Sequence, residues 1–261
     1  MTRDAYLGAQ DRLGSMAKKE TSENQPEKKG RVEIERNGPY VVSGNLPLSK
    51  EIICPDEDGE PLKWAAGEKY PPQEEYRLCR CGQSKNKPYC DKTHVKIDFD
   101  GTETASLKKY GEQADWVDGP DLILYDVQKL CAAARFCHRE GGTWELTEKS
   151  GDKRCRETAI QQAGMCPSGR LTACDKKTKK ALEPVFEQEI TLVEDPEENV
   201  SGPIWVKGGV PIKASDGSEY EVRNRVTLCR CGESRNKPFC DGSHIPFEFN
   251  DGDKSLRRNK R

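Results

Sequence analysis

Apolar residues alternate with polar or small ones in two short segments of the chain that have similar sequences. The segments are GPYVVSGNLPL, which begins at Gly38, and GPIWVKGGVPI, which begins at Gly202. In each segment a Gly-Pro pair comes first and an internal glycine follows, a pattern typical of a β-strand that runs into a turn. We therefore predict two copies of one β-rich unit.

The first copy carries an insertion. Gly38 and Cys79 are 41 positions apart, whereas Gly202 and Cys229, which align with them, are 27 apart. The extra residues are assigned to the Pro-rich stretch ICPDEDGEPLKWAAGEKYPP. Cys54 lies in this stretch without a partner at ligand spacing, so we interpret it as a free structural cysteine.

A segment with a different pattern, residues 119–183, lies between the copies. Apolar residues recur at helical spacing in DVQKLCAAARFC and in DKRCRETAIQQAG, so we predict a helix in each. The stretches DLILYD and TWELTE are short strand candidates. The segment is therefore expected to form a separate α+β unit.

Composition and charge favour small modules and disfavour one class of partner. Hydrophobic residues make up 33% of the 261 residues and charged residues 34%. The chain therefore has few apolar residues for one large core, and bound metal clusters would help to stabilise smaller ones. The chain has 43 Lys and Arg against 45 Asp and Glu, and this balance disfavours a nucleic-acid partner.

The ends of the chain and its hydropathy indicate a cytoplasmic protein. No run of about 18 apolar residues is present, so we expect no membrane span. Residues 1–30 lack the apolar region of a secretory signal and are rich in charge, which favours a disordered arm. The C-terminal KSLRRNKR is expected to be a solvated basic tail.

Twelve cysteines are too few for a disulfide scaffold of this length, and a disulfide within Cys-x-Cys would be strained. Reduced, metal-ligating thiols are the better interpretation. Two stretches of sixteen residues, CRCGQSKNKPYCDKTH and CRCGESRNKPFCDGSH, hold six of the cysteines and two of the three histidines. These candidate ligands are Cys79, Cys81, Cys90 and His94 in the first stretch, and Cys229, Cys231, Cys240 and His244 in the second.

The spacing of these residues leaves two metals open. Three cysteines and a histidine are a standard structural zinc set, but zinc sites usually draw pairs from Cys-x2-4-Cys turns. A Cys-x-Cys pair with a Cys-x3-His pair more readily supplies two ligands to each iron of a 2Fe-2S cluster. If a short helix begins within CDGSH, with Asp241 near its cap, Cys240 and His244 can face one metal ion.

Both stretches resemble the CDGSH iron-sulfur family. Its signature is Cys-x-Cys, a Ser or Thr three residues on, and then Pro-x-Cys-Asp-Gly-(Ser/Ala/Thr)-His. Residues 229–244 match throughout, whereas residues 79–94 have Lys92 in place of the glycine. The resemblance implies a 2Fe-2S cluster in each stretch, with the Cys-x-Cys pair on an inner iron and the Cys and His on an outer, more exposed iron. It also implies that two β-rich lobes pair about a twofold axis, here within one chain.

Three further cysteines, in the middle segment, suggest another cluster. A bacterial ferredoxin has Cys-x2-Cys-x2-Cys and a distant Cys-Pro. Aligned with that run, Cys131, Cys137 and Cys166 are present and Ala134 stands where the second cysteine belongs. Three thiolates suit a 3Fe-4S cluster, or a 4Fe-4S cluster with a fourth ligand. The candidates for that ligand are Cys155, Cys174 and His138.

The alternative is a helix that buries Cys131 and Cys137 as small apolar residues, with His138 at a helix end. The stretches ARFC and CPSGRL resemble the divergent single-cluster ferredoxin domain, which accompanies CDGSH motifs in other chains. That resemblance implies a ferredoxin-like unit that binds one cluster.

The fold predicted from these observations is α+β: two β-rich CDGSH-type lobes, paired as an intramolecular pseudo-twofold, with an inserted ferredoxin-like domain. The predicted units are an arm at 1–30, a lobe at 31–118, the ferredoxin-like domain at 119–183, a lobe at 184–250 and a basic tail at 251–261.

The predicted function is electron transfer or redox sensing through two 2Fe-2S clusters and one 3Fe-4S or 4Fe-4S cluster. No catalytic triad, P-loop or dinucleotide fingerprint is present, so substrate chemistry has no support. We expect a monomer that meets a redox protein partner. The alternatives are a protein that delivers clusters or iron to an apo-acceptor protein and a zinc-stapled binding module.

Overall fold

The computed structural model describes residues 30–256 and shows a mixed α+β fold made mostly of sheets. The strands are β1 (Arg31–Ile34), β2 (Tyr40–Ser43), β3 (Leu48–Pro55), β4 (Pro61–Lys69), β5 (Glu75–Leu78), β6 (Asp115–Asp118), β7 (Leu122–Asp126), β8 (Leu171–Asp175), β9 (Glu189–Asp195), β10 (Val200–Lys207), β11 (Ile212–Lys213) and β12 (Arg225–Leu228). The α-helices are α1 (Thr93–Lys96), α2 (Tyr110–Gln113), α3 (Thr143–Glu148) and α4 (Lys153–Met165), and short 3-10 helices cover Gln128–Leu130, Phe136–Gly141 and Lys254–Leu256.

The two β-rich halves exchange strands. One sheet has the order β11-β1-β2-β5 and the other has the order β12-β10-β9-β3-β4. In the first sheet β1 pairs in parallel with β11, at Val32 and Ile212, and in the second β3 pairs in parallel with β9, at Ser49 and Thr191. Each sheet therefore contains strands from both halves of the chain.

The predicted strands in the repeated segments are confirmed. GPYVV contributes β2, and GPIWV contributes β10, which is buried along its whole length. The stretch assigned to the insertion forms most of the β3–β4 hairpin. The largest apolar core contains residues from both halves, so the halves share one interior. Its members include Val32, Tyr40, Val42, Leu78, Ile190, Leu192, Ile204, Val226 and Leu228.

The middle segment supplies β7 and β8 of a three-stranded antiparallel sheet, β6-β7-β8, and α3 and α4 pack against it. Strand β6, at residues 115–118, comes from the chain just before this segment. The predictions of a strand at DLILYD and of a helix at DKRCRETAIQQAG are confirmed as β7 and α4.

Two predictions in this segment are wrong. TWELTE forms helix α3, because its buried residues Thr143, Leu146 and Thr147 recur at helical rather than alternating spacing. DVQKLCAAARFC does not form a continuous helix. Ala133 and Arg135 have φ values of 54° and 62°, in the left-handed region that a regular helix excludes.

Both chain ends extend beyond the described residues. The predicted arm lies outside them except for Gly30, as do residues 257–261 of the predicted tail. Residues 251–256 contact the rest of the fold: Leu256 is 3% exposed, and Asp251 forms an ion pair with Arg230. Within residues 30–256 no helix combines the length and apolar character needed to cross a bilayer.

Candidate metal centres

The first candidate site lies where β5 ends. The chain leaves the strand at Leu78, and the loop returns beside it, with Cys79 N donating to Pro88 O (2.8 Å) and Cys90 N donating to Arg77 O (2.9 Å). The Sγ atoms of Cys79 and Cys81 are 3.7 Å apart, and Cys90 Sγ lies 3.3 Å from His94 Nδ1. Four candidate ligands therefore stand as two close pairs.

The second candidate site repeats this arrangement at the end of β12. Cys229 N donates to Pro238 O (2.7 Å), and the Sγ atoms of Cys229 and Cys231 are 3.8 Å apart. Cys240 Sγ lies 3.5 Å from His244 Nδ1. The two sixteen-residue stretches thus have the same local structure.

The remaining residues of the motif hold the loop in place. In the first site Ser84 Oγ donates to Tyr89 O (2.6 Å) and accepts from Asn86 N (3.0 Å). Asp91 accepts from the backbone N of Lys85 (2.8 Å) and of Thr93 (2.9 Å). Ser234 and Asp241 make the corresponding hydrogen bonds in the second site. The motif serine and aspartate therefore have structural roles that their spacing alone did not reveal.

The short helix considered for CDGSH in the sequence analysis does not form in the second site. Residues 243–248 form turns, and Asp241 Oδ1 accepts from Ser243 N (3.1 Å) in a local turn rather than at a helix cap. In the first site a single helical turn, α1, begins at Thr93, and Lys92 is its N-cap. In the second site a turn therefore places Cys240 beside His244 without a helix.

Lys92 takes the backbone conformation of the glycine that it replaces. Its φ is 67°, and the φ of Gly242 is 87°, so both are left-handed. Each backbone N also donates to the cysteine two positions before it, at 3.4 Å. The departure from the motif at Lys92 thus leaves the local geometry of the first site intact.

The donor distances fit metal ligation. A tetrahedral ion with metal–sulfur bonds near 2.3 Å and metal–nitrogen bonds near 2.0 Å separates two sulfurs by about 3.8 Å and a sulfur from a nitrogen by about 3.5 Å. The four pairs observed here match those separations, at 3.7, 3.8, 3.3 and 3.5 Å. Among residues 30–256, however, no three or more His, Cys, Asp or Glu side chains are grouped around one ion position. Each pair by itself has the separation of two ligands on one metal ion.

One thiol of each Cys-x-Cys pair has a lowered pKa. A hydrogen bond with Cys81 lowers the pKa of Cys79 to about 6, and the same contact with Cys231 lowers the pKa of Cys229 to about 7. The second thiol of each pair has a raised pKa, because it keeps the shared proton beside a thiolate. Burial lowers the pKa of His244 to about 4, so its imidazole is neutral at physiological pH and has a free lone pair.

The two sites differ in exposure. Cys240 and His244 are 3% and 4% exposed, whereas Cys90 and His94 are only partly buried. The inner cysteines are buried in both sites, with exposures between 1% and 6%. The Cys-His pair is therefore partly accessible in the first site and buried in the second.

The structure brings Cys131, Cys137 and Cys166 into one neighbourhood. Cys131 follows the first 3-10 helix of the middle segment, Cys137 lies in the second, and Cys166 directly follows α4. Burial, together with the charges of Cys166 and Cys131, raises the pKa of Cys137 to about 12. The three thiols are therefore close enough for the charges of Cys131 and Cys166 to act on Cys137.

Of the three candidates for a fourth ligand, Cys155 and Cys174 lie away from Cys166 and Cys137, respectively. Cys155 is in the first turn of α4, eleven residues before Cys166, which is about 16 Å along a helix axis. Cys174 packs with Ile123 on one face of the β6-β7-β8 sheet, whereas Cys137 packs on the other face. His138 is exposed to solvent.

Other residues near these three cysteines also have clear positions. Ala134 packs in an apolar cluster that contains Trp64 and Trp205, so its methyl group contacts the large sheet. Arg170 binds Asp126 through two hydrogen bonds of 2.6 and 2.8 Å and interacts with the thiol of Cys131. Sequence spacing gave no signal for Arg170. Cys54 lies on β3 and, like all twelve cysteines, is free.

The paired thiol and imidazole donors, together with the three middle thiols, define an iron-sulfur-binding protein. Residues 37–95 and 201–245 match the family model described as "Iron-binding zinc finger CDGSH type", and residues 117–176 match the model described as "Divergent 4Fe-4S mono-cluster". The chain thus has two CDGSH regions that flank a divergent 4Fe-4S mono-cluster region, and the resemblance seen in the sequence is confirmed. Searches of the curated proteins and of the solved structures give no match.

Proposed function

We propose that this protein is a one-electron carrier or redox sensor that holds a 2Fe-2S cluster in each CDGSH motif. The observation that carries the proposal is the division of each motif into two donor pairs at tetrahedral ligand distances. Each pair serves one iron of a two-iron cluster. Cys131, Cys137 and Cys166 hold a third cluster, 3Fe-4S or 4Fe-4S.

The two motifs form an intramolecular pseudo-twofold pair in this proposal. Reciprocal contacts support it: a Cβ on Gly82 would lie 2.2 Å from Cys231 O, and one on Gly232 would lie 2.8 Å from Cys81 O. Either side chain would clash, so glycine is required at both positions. The parallel β1–β11 and β3–β9 pairings are reciprocal in the same way. A chain that pairs its own lobes needs no second copy, and we therefore propose a monomer.

Iron and acid-labile sulfide per chain, with visible and electron paramagnetic resonance spectra of anaerobically purified protein, test this function. We expect seven or eight irons per chain: two in each CDGSH site and three or four in the middle site. Oxidised 3Fe-4S is paramagnetic and oxidised 4Fe-4S is not, so the spectrum distinguishes the middle alternatives. A colourless protein that contains zinc would refute the proposal.

Replacing the histidine ligand of the second site with cysteine is expected to lower the potential of that cluster. Imidazole is neutral and thiolate is anionic, so His244→Cys disfavours the added electron. The expected change is on the order of 100 mV, a fraction of the gap between two-histidine Rieske centres and all-cysteine ferredoxins. A redox titration followed by paramagnetic resonance measures it.

The same substitution changes the response to pH. The folded cluster-free protein holds the pKa of His244 at about 4, below its ordinary 6.5. As pH falls from about 6.5 towards 4, the unfolded chain therefore binds a proton that the folded chain does not, and the histidine contribution to stability is lost. His244→Cys should flatten this loss, with His94→Cys as the matched control at the first site. An unchanged potential and pH profile in His244→Cys would show that His244 is not a ligand.

Cluster delivery to an apo-acceptor protein is the second candidate function. The partial exposure of Cys90 and His94 favours it, because an accessible outer pair can be approached by another protein's thiols. Incubation with an apo-ferredoxin, followed by separation and iron analysis of both proteins, distinguishes delivery from reversible reduction without iron loss.

A further inference from the structure

A short part of the middle segment lies directly against the second CDGSH motif. We name residues 129–135 the cover segment. Asn236 Nδ2 donates to the backbone O of Lys129 (3.0 Å). A Cβ on Gly242 would lie 3.3 Å from Ala133 Cβ and 3.5 Å from Cys131 O. The segment that carries a middle-site cysteine therefore contacts the glycine that stands between Cys240 and His244.

An ion pair fixes the end of the cover segment. Arg135 donates to both carboxylate oxygens of Asp195, at 2.7 and 3.2 Å, and the Asp195 side chain is 3% exposed. Arg135 and Ala133 both have positive φ values, so the segment holds a conformation that local preference disfavours. Its docking contacts compensate for that cost.

The first motif has no such contact at its equivalent residues. Asn86 and Lys92, which correspond to Asn236 and Gly242, are both exposed. A lysine is compatible with the solvent beside α1, whereas the space at Gly242 is filled by Ala133. This difference explains why one motif retains glycine while the other tolerates a long side chain.

We propose that the cover segment makes the middle site and the second CDGSH site an internal electron-exchange pair, and leaves the first CDGSH site as the surface that meets an external redox protein. This inference rests on the proposed function. The segment places Cys131 beside the outer ligand pair and excludes solvent from Cys240 and His244. The two CDGSH motifs, although similar in sequence, therefore have different tasks.

The exchange conserves atoms and electrons. One electron leaves the reduced cluster at one site and enters the oxidised cluster at the other, and no bond to a cysteine or histidine ligand forms or breaks. The electron itself comes from an external one-electron donor, for which dithionite substitutes in the experiment.

Exchanging Gly242 of the second motif and Lys92 of the first tests the proposal. Gly242→Lys is made in a Cys81→Ser chain, so that only the second CDGSH cluster and the middle cluster remain. We expect a chelator to remove the CDGSH cluster about tenfold faster than from the Cys81→Ser parent, which corresponds to about 1.4 kcal/mol of lost docking free energy. The broadening of its paramagnetic resonance signal by the middle cluster should decrease as well. The matched control, Lys92→Gly in a Cys231→Ser chain, should leave the first cluster's rate of loss unchanged.

A milder pair of variants covers the case in which Gly242→Lys does not fold. Asn236→Ala removes a single hydrogen bond to the cover segment and should accelerate cluster loss roughly fivefold, whereas Asn86→Ala should have no effect. Bound clusters with unchanged loss rates and signal shape in Asn236→Ala would overturn the inference and leave the proposed function standing. A Cys81→Ser parent without iron would instead overturn the proposed function itself, and this inference with it.

Discussion

Replacing Arg225 with methionine is expected to lower the free energy of unfolding by about 3–5 kcal/mol, because removal of one partner leaves a buried charge uncompensated. Arg225 is 2% exposed at the start of β12 and forms an ion pair with Glu183, with Nε 2.7 Å from the carboxylate. Its guanidinium also donates to the backbone O of Ala163, Cys166 and Leu171. One side chain thus joins the middle cysteine loop to the strand that leads into the second motif.

Urea unfolding of the complete iron-loaded chain, followed by circular dichroism, measures this change. Arg154→Met is the matched control, since the Arg154 side chain is 82% exposed and its loss should cost less than about 0.5 kcal/mol. Adding Glu183→Leu to Arg225→Met should recover part of the stability, because the stranded carboxylate is then absent. Equal stabilities for the Arg225 and Arg154 variants would contradict the assigned role.

The ion pair between Arg225 and Glu183 also makes the free energy of unfolding depend on pH. Burial by itself raises the pKa of Glu183, but Arg225 lowers it overall below the ordinary 4.5. The pair therefore contributes its full stability above about pH 4.5 and loses it as the pH falls through the lower folded pKa. Arg225→Met should remove this part of the acid sensitivity.

Cys231→Ser is expected to abolish the second CDGSH cluster and to lower the iron content by two per chain. Serine keeps the shape of the side chain but lacks the thiolate, and Cys231 is buried beside Cys229, where it is 5% exposed. Iron and sulfide analysis measures the loss. The cluster at Cys79, Cys81, Cys90 and His94 should remain.

Cys81→Ser is the matched variant and should produce the reciprocal loss. The two single variants together assign each cluster signal to one motif, and the double variant should leave only the middle cluster. Iron content unchanged by Cys231→Ser would refute ligation at the second motif.

Much of the candidate site could be predicted from the sequence, since ligand type and spacing are local properties. The pairing of Cys240 with His244 depends on four residues of chain, and the motif fixes it through Asp241 and Ser234. Helix α4 was predictable for the same reason, because its period extends over thirteen residues.

The features that the sequence did not predict depend on contacts between residues that are distant in the chain. CAAARFC has the composition of a helix, but the cover segment is held in an irregular form by Asn236, Gly242 and Asp195, which lie 60 or more residues away. TWELTE is too short for its period to be distinguished from alternation. Arg225 and Arg170 are single charged residues without a motif, so only the folded structure shows what they bind.

The exchange of strands between the two halves has a consequence for synthesis on the ribosome. Strand β1 is made early, but its parallel partner β11 begins at Ile212, about 180 residues later. At a translation rate of about 5–20 residues per second, β1 waits on the order of 10 s or more for that partner. The thiols of Cys79 and Cys81 emerge during this interval, before the strand that completes their sheet. We therefore expect insertion of the first cluster to follow synthesis of β11, so that nascent chains stalled before residue 212 carry no iron at the first site.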